Sequence, residues 1–179
     1  MPVLCDALED NIAEIVGEWK RLTRKPPWSS LTTSQWVDHL PPLLHAMIDG
    51  VVCGTGSHDA RRKVVASAIR HGSHRRALGV PLDTIFEEYY QLRTATWHLL
   101  TTRAGAELAS GIVAEILRLD AAIGVATLAS LSGYHRLEVE KTREWDQVID
   151  DLVKEWEHTS LTPLAGVTSK NEVGSAQTA

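Results

Sequence analysis

The chain has 179 residues, 44% of them apolar but only one Phe, so it is long enough to bury a core that must be aliphatic with Trp and Tyr as its large members. A net charge of −5 without a basic cluster excludes nucleic acid as an expected partner. No apolar run approaches the ~20 residues that cross a bilayer, and the acidic start MPVLCDALED is unlike a basic secretion leader, so a cytoplasmic protein without a membrane partner is expected.

Leu4, Leu8, Ile12, Ile15, Val16, Trp19 and Leu22 recur at three- and four-residue spacing and predict a first amphipathic helix. Pro26 ends it, because the residue before a proline is pushed out of helical geometry. Thr32, Thr33 and Ser34 offer N-caps for a second helix running through Trp36 to Val51, with a kink or restart at Pro41-Pro42. Cys5 and Cys53 show neither CxxC nor zinc spacing and read as reduced, structural thiols. Gly54 to Ser57 is a loop, and Ser57 or Asp59 starts a helix that runs past His74.

That helix leads into the most informative stretch, His71 to Leu100. Gly79 suits a left-handed helix cap and Pro81 the first turn of the next helix, so the two helices form an antiparallel hairpin. His71 lies eight residues before Gly79 and Glu88 nine after it, whereas Arg75 and Asp83 lie four to either side. The hairpin therefore pairs His71 with Glu88 and Arg75 with Asp83. The first pair either fixes the packing or reads a proton or ligand, since histidine beside a carboxylate can titrate near neutrality. Tyr89 and Arg93 share a face that Trp97 and Leu100 continue.

His71-x-x-His74 is a workable metal pair, but a closed site needs two more ligands and Glu88 is the only further candidate, so no metal is expected. Haem would need an unpaired histidine facing an apolar pocket, and His98 lies on a different face from Tyr89, so no cofactor is expected either. No Gly-x-Ser-x-Gly, activated cysteine or phosphate loop is present, which argues against an enzyme.

Beyond a break at Arg103-Ala104-Gly105, the helical pattern runs without proline to Pro163, with Leu108, Ile112, Ile116, Leu119 and Ile123 as its inner face. Ala and Gly dominate 121 to 133, where another helix can approach closely. From Tyr134 the apolar positions thin to Leu137, Trp145, Val148, Ile149, Leu152 and Trp156, the pattern of a coiled-coil seam. One helix of about fifty residues would be ~75 Å long and would leave its domain to find partners. The expected division is a globular domain at 1–135, a coiled-coil signalling helix at 136–160 and a disordered tail at 161–179.

His71, Arg75, Gly79, Glu88-Tyr89 and Leu92-Arg93, written H-x3-R-x3-G…EY-x2-LR, resemble the N-terminal domain of RsbR/RsbRD co-antagonists of stressosomes, a domain also fused to sensor histidine kinases. The resemblance implies an all-α, globin-like, non-haem helical bundle, to which the residue pattern adds a long C-terminal signalling helix. It implies a homodimer that takes in a signal, with a regulatory protein partner or a fused output domain, in a bacterial stress or two-component system. His71, Arg75, Glu88, Tyr89 and Arg93 are then the expected ligand-binding or signal-sensing residues. A second resemblance covers His158, Thr162, Pro163 and Leu164, which keep the spacing of a histidine-kinase phosphoacceptor box, with Thr159 and Leu161 in place of its acidic residue and arginine. The alternatives are thus a truncated sensor kinase with a degenerate phosphoacceptor at His158, or a free-standing scaffold module.

Overall fold

A computed structural model describes residues 3–37, 39–54, 56–103, 113–135 and 142–160. The described residues form eight α-helices and no strand: α1 (Val3–Glu9), α2 (Ile12–Leu22), α3 (Thr33–Val37), α4 (Leu40–Met47), α5 (His58–Ala77), α6 (Asp83–Arg103), α7 (Val113–His135) and α8 (Thr142–Ser160). A 3-10 turn at Trp28–Ser30 precedes α3, and a π turn at Ile48–Val52 extends α4.

The expected first helix is two helices. Asn11 interrupts it by donating its side-chain amide to the Ala7 carbonyl at 2.8 Å, a local bond that competes with the helical ladder. The apolar stripe nevertheless carries across the break, with Leu8, Ile12, Ile15 and Trp19 all buried. Thr32 caps α3 in a reciprocal box with Gln35, and Pro41 and Pro42 restart the chain in the first turn of α4. Ser57 caps α5 by accepting the Ala60 N–H.

The core is organised on the α5–α7 crossing. Ala122, Ala126, Ala129 and Gly133 form one buried face of α7 and lie against α5. A Cβ on Gly72 would stand 1.8 Å from the Ser130 carbonyl oxygen, and one on Gly133 2.1 Å from that of Ile69. The small residues between 121 and 133 therefore admit a helix of the same chain.

Three expectations change here. In place of the expected helix leaving the domain, the described residues hold α7 to His135 and a separate α8 that lies back on α5 and α7 with Ile149, Val153 and Trp156 buried. Its sparse apolar seam faces the core, where it covers surface that the shorter helices leave open. Cys5 and Cys53 are joined in a disulfide, with Cα atoms 5.4 Å apart, instead of standing reduced. Glu115–His135 is also long and apolar enough to cross a membrane by length and composition, with a mean hydropathy of 1.4, because its inner face serves the α5 crossing. Ala104, Gly105, Leu108, Ile112, Leu137, the Leu161-Thr162-Pro163-Leu164 segment and the tail to Ala179 lie outside the described residues.

Candidate functional site: a buried carboxylate hub

The site begins with a helix stop. Gly79 takes a φ of +70°, its N–H donates to the Arg76 carbonyl, and the Val80 N–H reaches back to that of Arg75 at 3.0 Å. This 6→1 and 5→2 pattern ends α5 and turns the chain. Pro81 and Leu82 belong to the turn, and α6 starts at Asp83. The return brings Glu88 of α6 against His71 and Arg75, which stand four apart on one face of α5.

Glu88 is 3% exposed and its carboxylate meets three donors from two elements, α5 and the 3-10 turn. His71 Nε2 lies 2.8 Å from Oε2. Arg75 Nε lies 2.8 Å from Oε1 and 3.1 Å from Oε2, straddling both oxygens. Trp28 Nε1, from the 3-10 turn, donates to Oε1 at 2.8 Å. Trp19 Nε1, from α2, donates to the Glu88 carbonyl at 3.0 Å. A carboxylate only accepts, so His71 carries a proton on Nε2.

The expected Arg75–Asp83 pair does not form. Asp83 is exposed in the first turn of α6, where an acid complements the helix dipole. Arg75 is 1% exposed and points inward instead. Its Nη1 and Nη2 donate to the carbonyls of Gln35 at 2.7 Å and Trp36 at 2.6 Å. One guanidinium therefore holds the end of α3 and the N-terminal part of α6 together.

Burial alone pushes the Glu88 carboxyl up, but His71 and Arg75 beside it more than offset that and hold it below the ordinary carboxylate range. Arg75 and Glu88 cancel as charges. Among the described residues His71 Nδ1 and Trp36 Nε1 are buried without a hydrogen-bond partner. The His39 ring stands edge-on to His71 and His74, with centroids 6.5 and 4.7 Å away.

A model of the RsbT co-antagonist protein rsbRD N-terminal domain matches residues 7–149. The chain belongs to this family. No curated protein and no solved structure matches it. All the hub residues fall inside the matched region, whereas Cys5 and the segment 150–160 of α8 fall outside it.

Within this RsbRD-type domain the five sequence-predicted residues separate. His71, Arg75 and Glu88 form the hub. Tyr89 is buried beside it, its ring edge-on to His71, and donates to Ser130 Oγ at 2.7 Å, since that hydroxyl passes its own proton to the Ala68 carbonyl at 2.8 Å. Burial pushes the Tyr89 phenol up, which keeps it a donor. Arg93 lies outside the hub and binds Asp120 of α7 at 2.5 Å. His158 is exposed in the last turn of α8. Among the described residues no group of three or more His, Cys, Asp or Glu is placed to hold a metal. A groove of about 710 Å³ between α5 and α8 is lined by Ile69, Arg70, Ser73, Trp145 and Asp146, with none of the hub's charged groups.

Sequence reading missed Trp19, Trp28, His39, the Gln35 and Trp36 carbonyls, and Ser130. One signal for the indoles was present. Six Trp against one Phe is an excess of large apolar side chains that carry an N–H donor, and two of them serve Glu88.

Proposed function

We propose that this chain is a non-catalytic signal-input domain, in which the Glu88 hub is the bistable element and α7 carries its state onward. The supporting observation is the convergence of α2, the 3-10 turn and α5 on one residue of α6, with α3 tied in through Arg75, and with its neighbour Tyr89 holding α7. A signal that adds a proton, an anion or a docked partner near His71 changes the charge balance around Glu88. The charge is buried, so a small change there shifts the relative free energy of two packings by more than a surface pair would. Ser130 lies next to the backbone contact at Gly72, so a rearranged Tyr89 has a stiff path into the α5–α7 crossing. The arrangement we infer is globin-like, with the signal read by a regulatory partner or a fused output domain.

We further propose a homodimer. Its support is the outward stripe Leu117, Ala121, Gly124 and Leu128 on α7, in which both leucines are more than half exposed and Gly124 faces open space. Leu117→Glu with Leu128→Glu should give a folded monomer by light scattering, and an unchanged dimer places the contact elsewhere. The sensing role is tested by Glu88→Gln in a fusion with a reporting output domain. A sensing hub predicts a folded protein with its output locked in one state. A normally responding Glu88→Gln fusion means that the pairing serves packing alone.

A further inference from the structure

The disulfide occupies a place that the signalling reading does not use. Cys5 is 1% exposed on α1, whereas Cys53, just past the π turn, is partly accessible. The turn buries Ile48 and Val52 and packs against both α1 and α7, so the bond ties the first helix to an element seated on the helix that carries output. π turns insert one extra residue into a helix and recur at functional positions. The Cys53 N–H closes this one on the Ile48 carbonyl.

Two features distinguish this bond from a structural staple. A chain with one disulfide in 179 residues and a continuous aliphatic core does not need a cross-link to fold, unlike small secreted scaffolds. Cys5 also lies before residues 7–149, over which the family model matches, so the bond ties the matched domain to a residue outside that match. We propose that Cys5 and Cys53 form a reversible thiol–disulfide site, whose oxidation clamps α1 on the π turn and whose reduction lets α1 open.

The chemistry balances with a dithiol reductant. One of its thiolates attacks Sγ of Cys53, the less buried of the two residues, and the sulfur of Cys5 leaves as a thiolate and takes a proton. The second thiolate of the reductant then displaces Cys53 from the mixed disulfide. Two electrons and two protons pass to the protein, and the reductant departs as its own disulfide.

The test uses the whole chain, equilibrated without denaturant in buffers of varied reduced-to-oxidised dithiothreitol ratio. Thiols are trapped by alkylation and counted by mass, and hydrogen exchange is followed over Val3–Glu9. The expected result is a reversible change between two free thiols and none, with circular dichroism unchanged. Exchange in α1 should be about tenfold faster in the reduced form. Cys53→Ser should exchange in α1 like the reduced wild type and ignore the reductant. Thiols that stay free in the most oxidising buffer would overturn the proposal, as would a bond that yields only when the chain unfolds. Equal α1 exchange in both forms would overturn it as well, and the wild-type arms decide this even if Cys53→Ser fails to fold.

Discussion

Among the charges that hold helices of this molecule together, the hub and the α5–α8 pairs differ most in how far they are removed from water. At the hub, Glu88, Arg75 and His71 are each no more than 3% exposed, and every donor is aimed. Near the N-terminal end of α5, Arg62 meets Asp146 and Asp150 of α8, and Arg61 meets Glu157 at 3.1 Å, with Arg61 also 5.5 Å from the centre of the Trp156 ring. Those groups remain partly solvated, Asp146 being 57% exposed. The same residue types therefore do different work. A buried pair is a commitment whose loss strands a charge, while a solvated pair is an adjustable contact that salt and water can replace.

The largest effect should come from breaking the hub. Glu88→Ala leaves Arg75 buried without its carboxylate and should destabilise by roughly 3–5 kcal/mol in urea unfolding. His71→Ala should cost less, about 1–3 kcal/mol, because it removes one donor of several. The double variant should cost clearly less than the sum, and additive losses would mean that the two side chains act independently. Next comes the helix crossing on which the hub leans. Gly72→Ala places a methyl group against the Ser130 carbonyl and should destabilise by about 1–3 kcal/mol, measured the same way. A neutral result would show that α5 and α7 separate easily.

Acid sharpens the contrast further. The carboxyl of Glu88 is held below its ordinary range when folded, so its contribution is complete above the unfolded value of 4.5 and is lost as pH falls through the folded value. Stability should decline on acidification below that range, and Glu88→Gln should lack this component of the decline. The smallest effect belongs to the surface pairs. Arg62→Ala should cost about 0.2–1 kcal/mol at low salt and fade at high salt, when the pairs are screened in the wild type. A loss that persists at high salt would mean that the α8 contact is desolvated and belongs with the hub.

The sequence made part of this visible, for local reasons. Ser57, Gly79 and the 3.6-residue apolar spacing mark helix ends and faces directly, and counting outward from Gly79 found His71 opposite Glu88. The same count failed for Arg75 and Asp83, because it assumed that both helices leave the turn at once. Pro81 and Leu82 instead extend the turn, and Arg75, sharing a face with His71, followed it to Glu88. The C-terminal helix was legible as amphipathic but not in its destination. Ile149 and Trp156 declare that one face is buried, and nothing in their spacing says whether a second chain or α5 covers it. Trp28 and the Gln35 carbonyl reach the site from 60 and 40 residues away in the chain, a closure that no periodicity encodes. The Cys5–Cys53 bond spans 48 residues and was hidden in the same way.

In the proposed signalling role, the charge on Glu88 sets the packing of α7 through Tyr89 and Ser130. Hydrogen exchange across α7 in Glu88→Gln, compared with wild type at neutral pH, addresses it most directly. This variant keeps the shape and a hydrogen bond while removing the charge. The expected result is a folded protein whose amides around Ser130 change protection while those of α8 near Asp146 and Asp150, which meet Arg62, do not. Unchanged protection in α7, with the protein fully folded, would contradict it.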